Sequence, residues 1–285
     1  MSKPCVAVIA PGNMGAAVGG RLIERGLKVL TSLDGRGAAS KKRAADAGMV
    51  AASEAEVAGA DIILSIVPPG QAQALADRLL PALRAANSKP VYVDCNAVSP
   101  AAAQDIAKTI ATTDCPFVDG GIIGGPPRAG YDGPSIYVSG PQAGSVELLA
   151  QYGLLIRNMG GAVGDASALK MSYAGLTKGL TALATAMILA AERAGVGEAL
   201  YAELAASQVP MLKQLTRSVP DMFSKSGRWV AELDEIGRFA GPGAAADIYH
   251  GIARLYERIA LDVDGPKAEI GALARFFEQA AGKPK

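Results

Sequence analysis

Histidine and tryptophan are nearly missing from this chain: His250 and Trp229 are single copies in 285 residues. One imidazole excludes His–His and Cys–His metal clusters and argues against a histidine-based triad, so no metal site is expected. Aromatic residues are scarce too, 5% of a chain that is 50% hydrophobic. The core is therefore predicted from Ala, Val, Ile and Leu, with glycine supplying turns and close backbone approaches. Cysteine is limited to Cys5, Cys95 and Cys115, an odd number in mostly apolar settings. They read as buried, reduced thiols of a cytoplasmic protein and exclude a disulfide framework. A charge excess is absent as well, since 28 Lys and Arg against 27 Asp and Glu leave +1. That balance removes any compositional case for a nucleic-acid or anionic-membrane partner. Neither a Gly-x-Ser-x-Gly elbow nor a Walker-type phosphate loop occurs. The most apolar helical run, 180–191, is shorter than the roughly 20 residues a membrane span needs. The apolar N-terminal stretch has only Lys3 before it and runs straight into a glycine turn, which predicts a strand rather than a signal peptide.

What is present alternates. Val- and Ile-rich runs at 5–10, 28–33, 61–67 and 91–94, with weaker ones at 117–119 and 135–139, predict strands. Helical patterns at 14–25, 38–47, 71–86 and 100–112 separate them, the last opening with Ser99 as N-cap and Pro100 at the first helical position. Near-continuous apolar strands divided by helices indicate a mostly parallel sheet covered on both faces. After about residue 164 no strand pattern returns. One long helix-forming stretch covers 165–195, and further helices are predicted at 197–208, 211–217, 227–239, 244–259 and 267–281, with a frayed tail at 282–285. The organisation is an α/β domain over 1–164 followed by an all-helical domain over 165–285.

The first strand leads into Val6-Ala7-Val8-Ile9-Ala10-Pro11-Gly12-Asn13-Met14-Gly15. A glycine turn between a strand and a helix is either a packing device or a dinucleotide fingerprint. Its place at the first βα junction of a two-domain chain favours the fingerprint, with Ala10 where Gly-x-Gly-x-x-Gly has its first glycine. Gly12 lets backbone approach a pyrophosphate, Gly15 lets the helix pack on the strand, and the N–H groups at the start of the helix that follows the Pro11–Gly15 bend meet the phosphate charge. The second strand ends in Ser32-Leu33-Asp34-Gly35-Arg36. Asp34 stands about 20 residues on, where an acid accepts the ribose 2′-hydroxyl of NAD. Ser32 clusters with the cations Arg36, Lys41, Lys42 and Arg43 in a loop that suits the 2′-phosphate of NADP, unless Lys41 to Arg43 are the solvated face of the next helix. NADP is favoured through Ser32 and Arg36, with NAD possible.

Three further junctions lie at strand ends, where open parallel sheets bind ligands. Val67-Pro68-Pro69 closes a buried strand. In Asp94-Cys95-Asn96-Ala97-Val98-Ser99-Pro100, Asn96 carries an amide that can both donate and accept hydrogen bonds. The segment Asp119-Gly120-Gly121-Ile122-Ile123-Gly124-Gly125-Pro126-Pro127-Arg128-Ala129-Gly130 reads as a glycine-dense loop that either offers backbone amides to a substrate or is a tight connection.

Taken in order, these segments resemble the β-hydroxyacid dehydrogenase family, which includes relatives of 6-phosphogluconate dehydrogenase, 3-hydroxyisobutyrate dehydrogenase and the imine reductases. Ala10 to Gly15 matches that family's Gly-x-Gly-x-Met-Gly turn, Val67-Pro68 its Leu-Pro strand end, and Asp94 to Pro100 loosely its Asp-x-Ser-Thr-x-x-Pro junction. Asp119 to Gly125 aligns with Asp-Ala-Pro-Val-Ser-Gly-Gly, and Gly164 to Lys170 keeps the glycine-to-lysine spacing of the catalytic helix. More narrowly, Lys170-Met171-Ser172-Tyr173-Ala174-Gly175-Leu176-Thr177-Lys178-Gly179 and Arg228-Trp229 resemble a little-characterised bacterial branch with its own helical C-terminal domain. The likeness implies an α/β fold, a Rossmann-type doubly wound sheet followed by an all-α C-terminal domain with a long interdomain helix. The departures are specific. Ile123 stands where the family has its carboxylate-holding serine, Tyr173 and Ala174 replace the paired asparagines, and Glu232 and Glu235 occupy the neighbourhood of a later Lys-Asp signature.

The resemblance implies hydride transfer between NADP(H) and a small polar, hydroxyacid-like carbonyl or alcohol, with Lys170 as general acid/base. Desolvation is expected to bring its amine down from about 10.4 towards the working range. Asn96 with the Gly124–Gly125 backbone is expected to hold the substrate or the nicotinamide end. Lys170, Tyr173, Ala174 and Thr177 fall on one helical stripe, which makes Tyr173 and Thr177 candidate substrate contacts. Lys178, at the edge of that stripe, is expected at the surface or facing a partner; His250 is expected at or near the surface, and Arg128 and Trp229 are possible specificity elements. The apolar circumference of 180–191 predicts burial on all sides, and relatives place such a helix between two subunits, which implies a homodimer. Imine reduction is the alternative chemistry, and a non-catalytic dinucleotide sensor the alternative class.

Overall fold

The computed structural model describes residues 3–278. The end of the last predicted helix and the tail expected to fray lie outside the described residues. The chain divides into two compact units, Met1–Met171 and Ser172–Lys285.

In the first unit, β1 (Cys5–Ile9), β2 (Lys28–Thr31), β3 (Val50–Ala51), β4 (Ile62–Ser65), β5 (Val91–Asp94), β6 (Phe117–Ile123), β7 (Ser135–Ser139) and β8 (Leu155–Gly160) form one sheet in the order β3-β2-β1-β4-β5-β6-β7-β8. The strands from β3 through β6 are parallel; β7 runs antiparallel to β6, and β8 parallel to β7. The chain order reverses between β1 and β4, the switch point of a doubly wound sheet. Connecting helices are α1 (Asn13–Glu24), α2 (Ala38–Asp46), α3 (Glu54–Ala58), α4 (Ala72–Ala85) and α5 (Pro100–Ala111).

Strand alternation sends successive side chains to opposite faces. Ala7, Ile9 and Ile63 enter a cluster with Leu79, Tyr92 and Ile106, whereas Val6, Val8 and Leu64 enter another with Val18, Leu22 and Val138. Both faces are therefore covered by helices, as the continuous apolar strands predicted. Two strands escaped that reading. β3 is two exposed residues, and β8 is mostly exposed, so neither carries a buried apolar signal. α3 was missed as well, although Ser53 and Glu56 form a capping box there. β6 corrects the expected loop: the strand continues through Gly120 and Gly121 to Ile123, held by β7.

The second unit contains α7 (Gly197–Ser207), α8 (Val209–Phe223), α9 (Ser226–Ala240), α10 (Ala244–Asp264) and α11 (Ala268–Glu278), together with most of α6 (Asp165–Arg193). α8 continues through Pro220, where the sequence suggested an earlier end. Val219, Met222, Leu233, Tyr256, Ile259, Leu273 and Phe276 are fully buried and build its core. At 29 residues, α6 is long and apolar enough to cross a bilayer by length and composition alone, with 44% of its apolar window buried within the chain. Burial on all sides does not hold for 180–191: Leu183 is 63% and Met187 54% exposed.

Candidate functional site

The first βα junction is built by two glycines with different duties. Gly12 caps α1 in extended backbone, with no side chain bonded to the first-turn amides and no acid in that turn. A Cβ there would meet nothing within 4 Å, whereas one at Gly15 would lie 2.0 Å from the Ala10 carbonyl oxygen. Gly15 therefore seats α1 on β1, and Gly12 leaves a cradle of open space in front of amides carrying the helix's partial positive charge. Asn13 is exposed and Met14 half-buried beside it. Pro11 is buried, and its carbonyl accepts from Arg43 Nε at 3.1 Å.

Just past the end of β2, Ser32 is 1% exposed and its hydroxyl has no bonding partner among the described residues. A buried polar atom without a partner costs stability, so the site fits a ligand that supplies one. Arg36 is half-buried, and its guanidinium is lowered by burial and by the like charge of Arg78. Arg78 was not foreseen; it lies on α4 and bonds Glu54 at 3.0 Å. Lys41 and Lys42 are exposed, Lys42 pairing with Asp46. Arg43 instead turns inward.

At the ends of β4 and β5 the structure reassigns Asn96. It is buried, its Oδ1 accepts from Val67 N at 2.6 Å, and its Nδ2 donates to Ser65 Oγ at 2.8 Å and to Asp94 Oδ1. Both amide hydrogens are thus committed inside the protein. Asn96 holds the Val67 backbone and so shapes the exposed Pro68 and half-buried Pro69 that follow. Asp94 is buried and its Oδ2 lacks a partner among the described residues. Burial pushes its carboxyl up to about 7, with Asp119 adding to the rise.

Lys170 belongs to the compact unit that holds the glycine turn. Its helix start is fixed by Asp119, which is fully buried. Asp119 Oδ2 accepts from Ser139 Oγ, Gly164 N and Ser167 N, each at 3.0 Å, and Oδ1 accepts from Ser167 Oγ at 2.6 Å. Ser139 Oγ also accepts from Ala166 N at 2.9 Å. A carboxylate among the first amides of a helix complements its positive end. A Cβ on Gly121 would lie 2.7 Å from the Ala166 carbonyl and 3.2 Å from Lys170 Cβ, so glycine is what lets α6 lie against β6 and brings half-buried Lys170 beside it. Ser139 and Ser167 gave no sequence signal; the β6–β7 register, with Asp119 opposite Ser139, brings the first into place. Gly124 has φ of 126° and sits under Tyr131 and Pro134, while Gly125 is open and exposed. Arg128, exposed in the same loop, lies over the Tyr131 ring at 5.7 Å.

In the helical unit the expected stripe splits. Ala174 is buried, Tyr173 is 50% exposed, and the Thr177 hydroxyl donates to the Tyr173 carbonyl at 2.9 Å. Lys178 corrects its surface expectation: it is buried, ion-paired with Glu232, and 5.1 Å from the Trp229 ring centroid. Burial pushes its amine down, against Glu232, which holds it up. Glu235 pairs with Arg238, and exposed His250 packs over Gly237. The cysteines are free; Cys95 and Cys115 are buried, but Cys5 only half so.

A doubly wound sheet with an open glycine cradle at its first βα turn is the architecture of a dinucleotide-binding domain. Residues 5–163 match the NAD binding domain of 6-phosphogluconate dehydrogenase, and residues 191–259 match a domain of unknown function, DUF1932. The chain belongs to that 6-phosphogluconate dehydrogenase-type family, among the β-hydroxyacid dehydrogenases. An uncharacterized 28.5 kDa protein in the 7S RNA 5′ region of Methanothermus fervidus is 31% identical over 216 residues, 75% of this chain and 82% of that protein. A conserved protein of unknown function, described as structurally similar to 3-hydroxyacid dehydrogenases, aligns with a TM-score of 0.70 at 28% identity, over 91% of this chain and 98% of that one. The 3-hydroxyisobutyrate dehydrogenase of Salmonella typhimurium aligns with a TM-score of 0.70 at 16% identity, over 92% and 99%, a likeness of fold.

Proposed function

We propose that this chain is an NADP-preferring oxidoreductase that interconverts a carbonyl and an alcohol on a small polar, hydroxyacid-like substrate, with Lys170 as general acid/base. The observation that carries the reading is the anchoring of α6 by Asp119. It seats Lys170 beside Gly121 in the same compact unit as the glycine cradle. The amides of Gly12, Asn13 and Met14 would hold the pyrophosphate, Gly15 keeping their helix against the sheet. Ser32 and Arg36 would meet the 2′-phosphate, for which the partnerless Ser32 hydroxyl and two neighbouring guanidiniums argue. Val67, Pro68 and Pro69 would flank the nicotinamide end, with Asn96 as their internal brace. The open backbone at Gly125, next to Gly124 under Tyr131 and Pro134, would be the substrate platform.

When bound, the cofactor supplies or removes a hydride. The Lys170 ammonium gives a proton to the carbonyl oxygen during reduction and its amine takes one back during oxidation, and no other group in the unit is asked to act in that step. NADPH oxidation against hydroxyacid-derived carbonyls, aldehydes, ketones and cyclic imines tests the reading. Turnover of a carbonyl compound is expected, reduced about 10²–10⁴-fold in Lys170→Ala with NADPH affinity unchanged. Full turnover by that variant removes Lys170 from the mechanism.

We also propose a homodimer formed through α6 and α10. Leu183, Met187 and Ile248 are exposed around a groove of about 770 Å³ between these helices, an apolar face that a second copy would cover. Sedimentation should give a dimer that Leu183→Asp dissociates. The three free thiols suit the reducing cytoplasm.

A further inference from the structure

Arg43 is the basic residue of its helix that faces the glycine turn. It lies in the last turn of α2, half-buried, with Nε donating to the Pro11 carbonyl at 3.1 Å and Nη2 donating to Ser40 Oγ at 3.0 Å. These two bonds fix the guanidinium beside the start of α1, where it borders a groove with Asn13, Ala16 and Ala17. A guanidinium carries five N–H groups, and two are used here, which leaves the rest of the fork available. No carboxylate lies within ion-pairing distance of Arg43 among the described residues: Asp46 bonds Lys42, and Glu24 bonds Arg21. The first turn of α1 likewise contains no acid and no side-chain cap. A fixed cation and a helix's positive end thus flank the cradle, and the carboxylates further along the groove, Glu24 and Asp46, are paired with Arg21 and Lys42 instead of Arg43. The partnerless Ser32 hydroxyl, just beyond neighbouring β2 and read above as a 2′-phosphate contact, is a second polar group left for the same dinucleotide.

We propose that Arg43 is a cofactor-contacting residue that binds the pyrophosphate bridge of the dinucleotide, tethered for that task by Pro11 and Ser40. The inference rests on the cofactor site proposed above and assigns a residue that the glycine fingerprint does not contain. A pyrophosphate ligand is common to NADPH, NADH and ADP-ribose, whereas a 2′-phosphate ligand touches NADPH alone. The three compounds therefore separate the possible roles.

Affinities of all three are measured by fluorescence or calorimetric titration for the wild-type protein, Arg43→Met, Arg43→Lys and Ser40→Ala. Arg43→Met is expected to weaken all three by a similar factor, about 10- to 100-fold for one charge-assisted contact. Arg43→Lys keeps the charge but loses the fork, so it should recover only part of that loss. Ser40→Ala, which removes one tether, should weaken all three about threefold, and it carries the test should Arg43→Met not fold. A loss confined to NADPH, or unchanged affinities in folded variants, overturns the proposal. Failure of the wild-type protein to bind any of the three instead overturns the cofactor site itself.

Discussion

Asp94 and Asp119 lie directly opposite each other on neighbouring parallel strands, both buried, and only Asp119 is fully bonded. Its oxygens take donors from β7 and the start of α6, whereas Asp94 Oδ1 takes donors from Asn96 alone and Oδ2 has none among the described residues. Burial, then Asp119's charge, makes ionisation of Asp94 costly and moves it to about 7.

This has a signed consequence for stability. The folded state binds the Asp94 proton more tightly than the unfolded chain, whose carboxyl titrates near 4. Between those values the folded protein holds more protons, so this group's contribution to stability declines as pH rises from about 4 to 7 and levels off above. Urea unfolding at pH 5 and pH 8 is expected to show wild type losing roughly 2–4 kcal/mol relative to Asp94→Asn across the window. Equal slopes in the two proteins would refute this assignment.

The two glycines of the first turn separate folding from binding. Gly15→Ala places a Cβ 2.0 Å from a backbone oxygen, so thermal unfolding should fall and dinucleotide binding should be lost together. Gly12 has φ of −71° and empty space around a Cβ, so Gly12→Ala should melt as wild type does yet bind NADPH about tenfold or more weakly. Wild-type affinity in Gly12→Ala would mean that no phosphate approaches that backbone.

Arg36 addresses cofactor choice. If it meets the 2′-phosphate, Arg36→Leu should weaken NADPH about tenfold or more and leave NADH within about threefold. Equal losses for both compounds would place Arg36 elsewhere on the dinucleotide. Its pattern is thus expected to differ from that of Arg43, where both compounds should weaken alike.

Lys178 and Glu232 form a buried ion pair, with side chains 8% and 14% exposed. Removing the lysine alone leaves an acid in a buried site, so Lys178→Met should cost about 3–5 kcal/mol in urea unfolding. The double variant Lys178→Met/Glu232→Leu should recover most of that loss. Additive losses would show that the two side chains are not coupled.

How much of this was legible depends on whether the signal was local. β1, β2, β4 and β5 are short apolar runs buried on both faces, and the turn at Gly12 and Gly15 is a local spacing, so strands and turn read directly from the letters. β3 and β8 at the sheet's edges bury little and left no pattern, and β6 hid behind Gly120 and Gly121 because glycine normally marks a loop. Asn96 was legible as a hydrogen-bonding side chain but not as one already occupied. Its partners Ser65 and Val67 are far away in sequence and close only through β4–β5 pairing.

Composition and periodicity settle the α/β-then-helical order and local spacing marks the candidate dinucleotide turn, since these depend on neighbours along the chain, whereas Lys170 stands out through the family resemblance of its helix start. The inward turn of Arg43, the burial of Lys178 and the anchoring of α6 by Asp119 emerged only in three dimensions. Each depends on which distant groups the fold brings within hydrogen-bonding distance, and on which of them water can no longer reach.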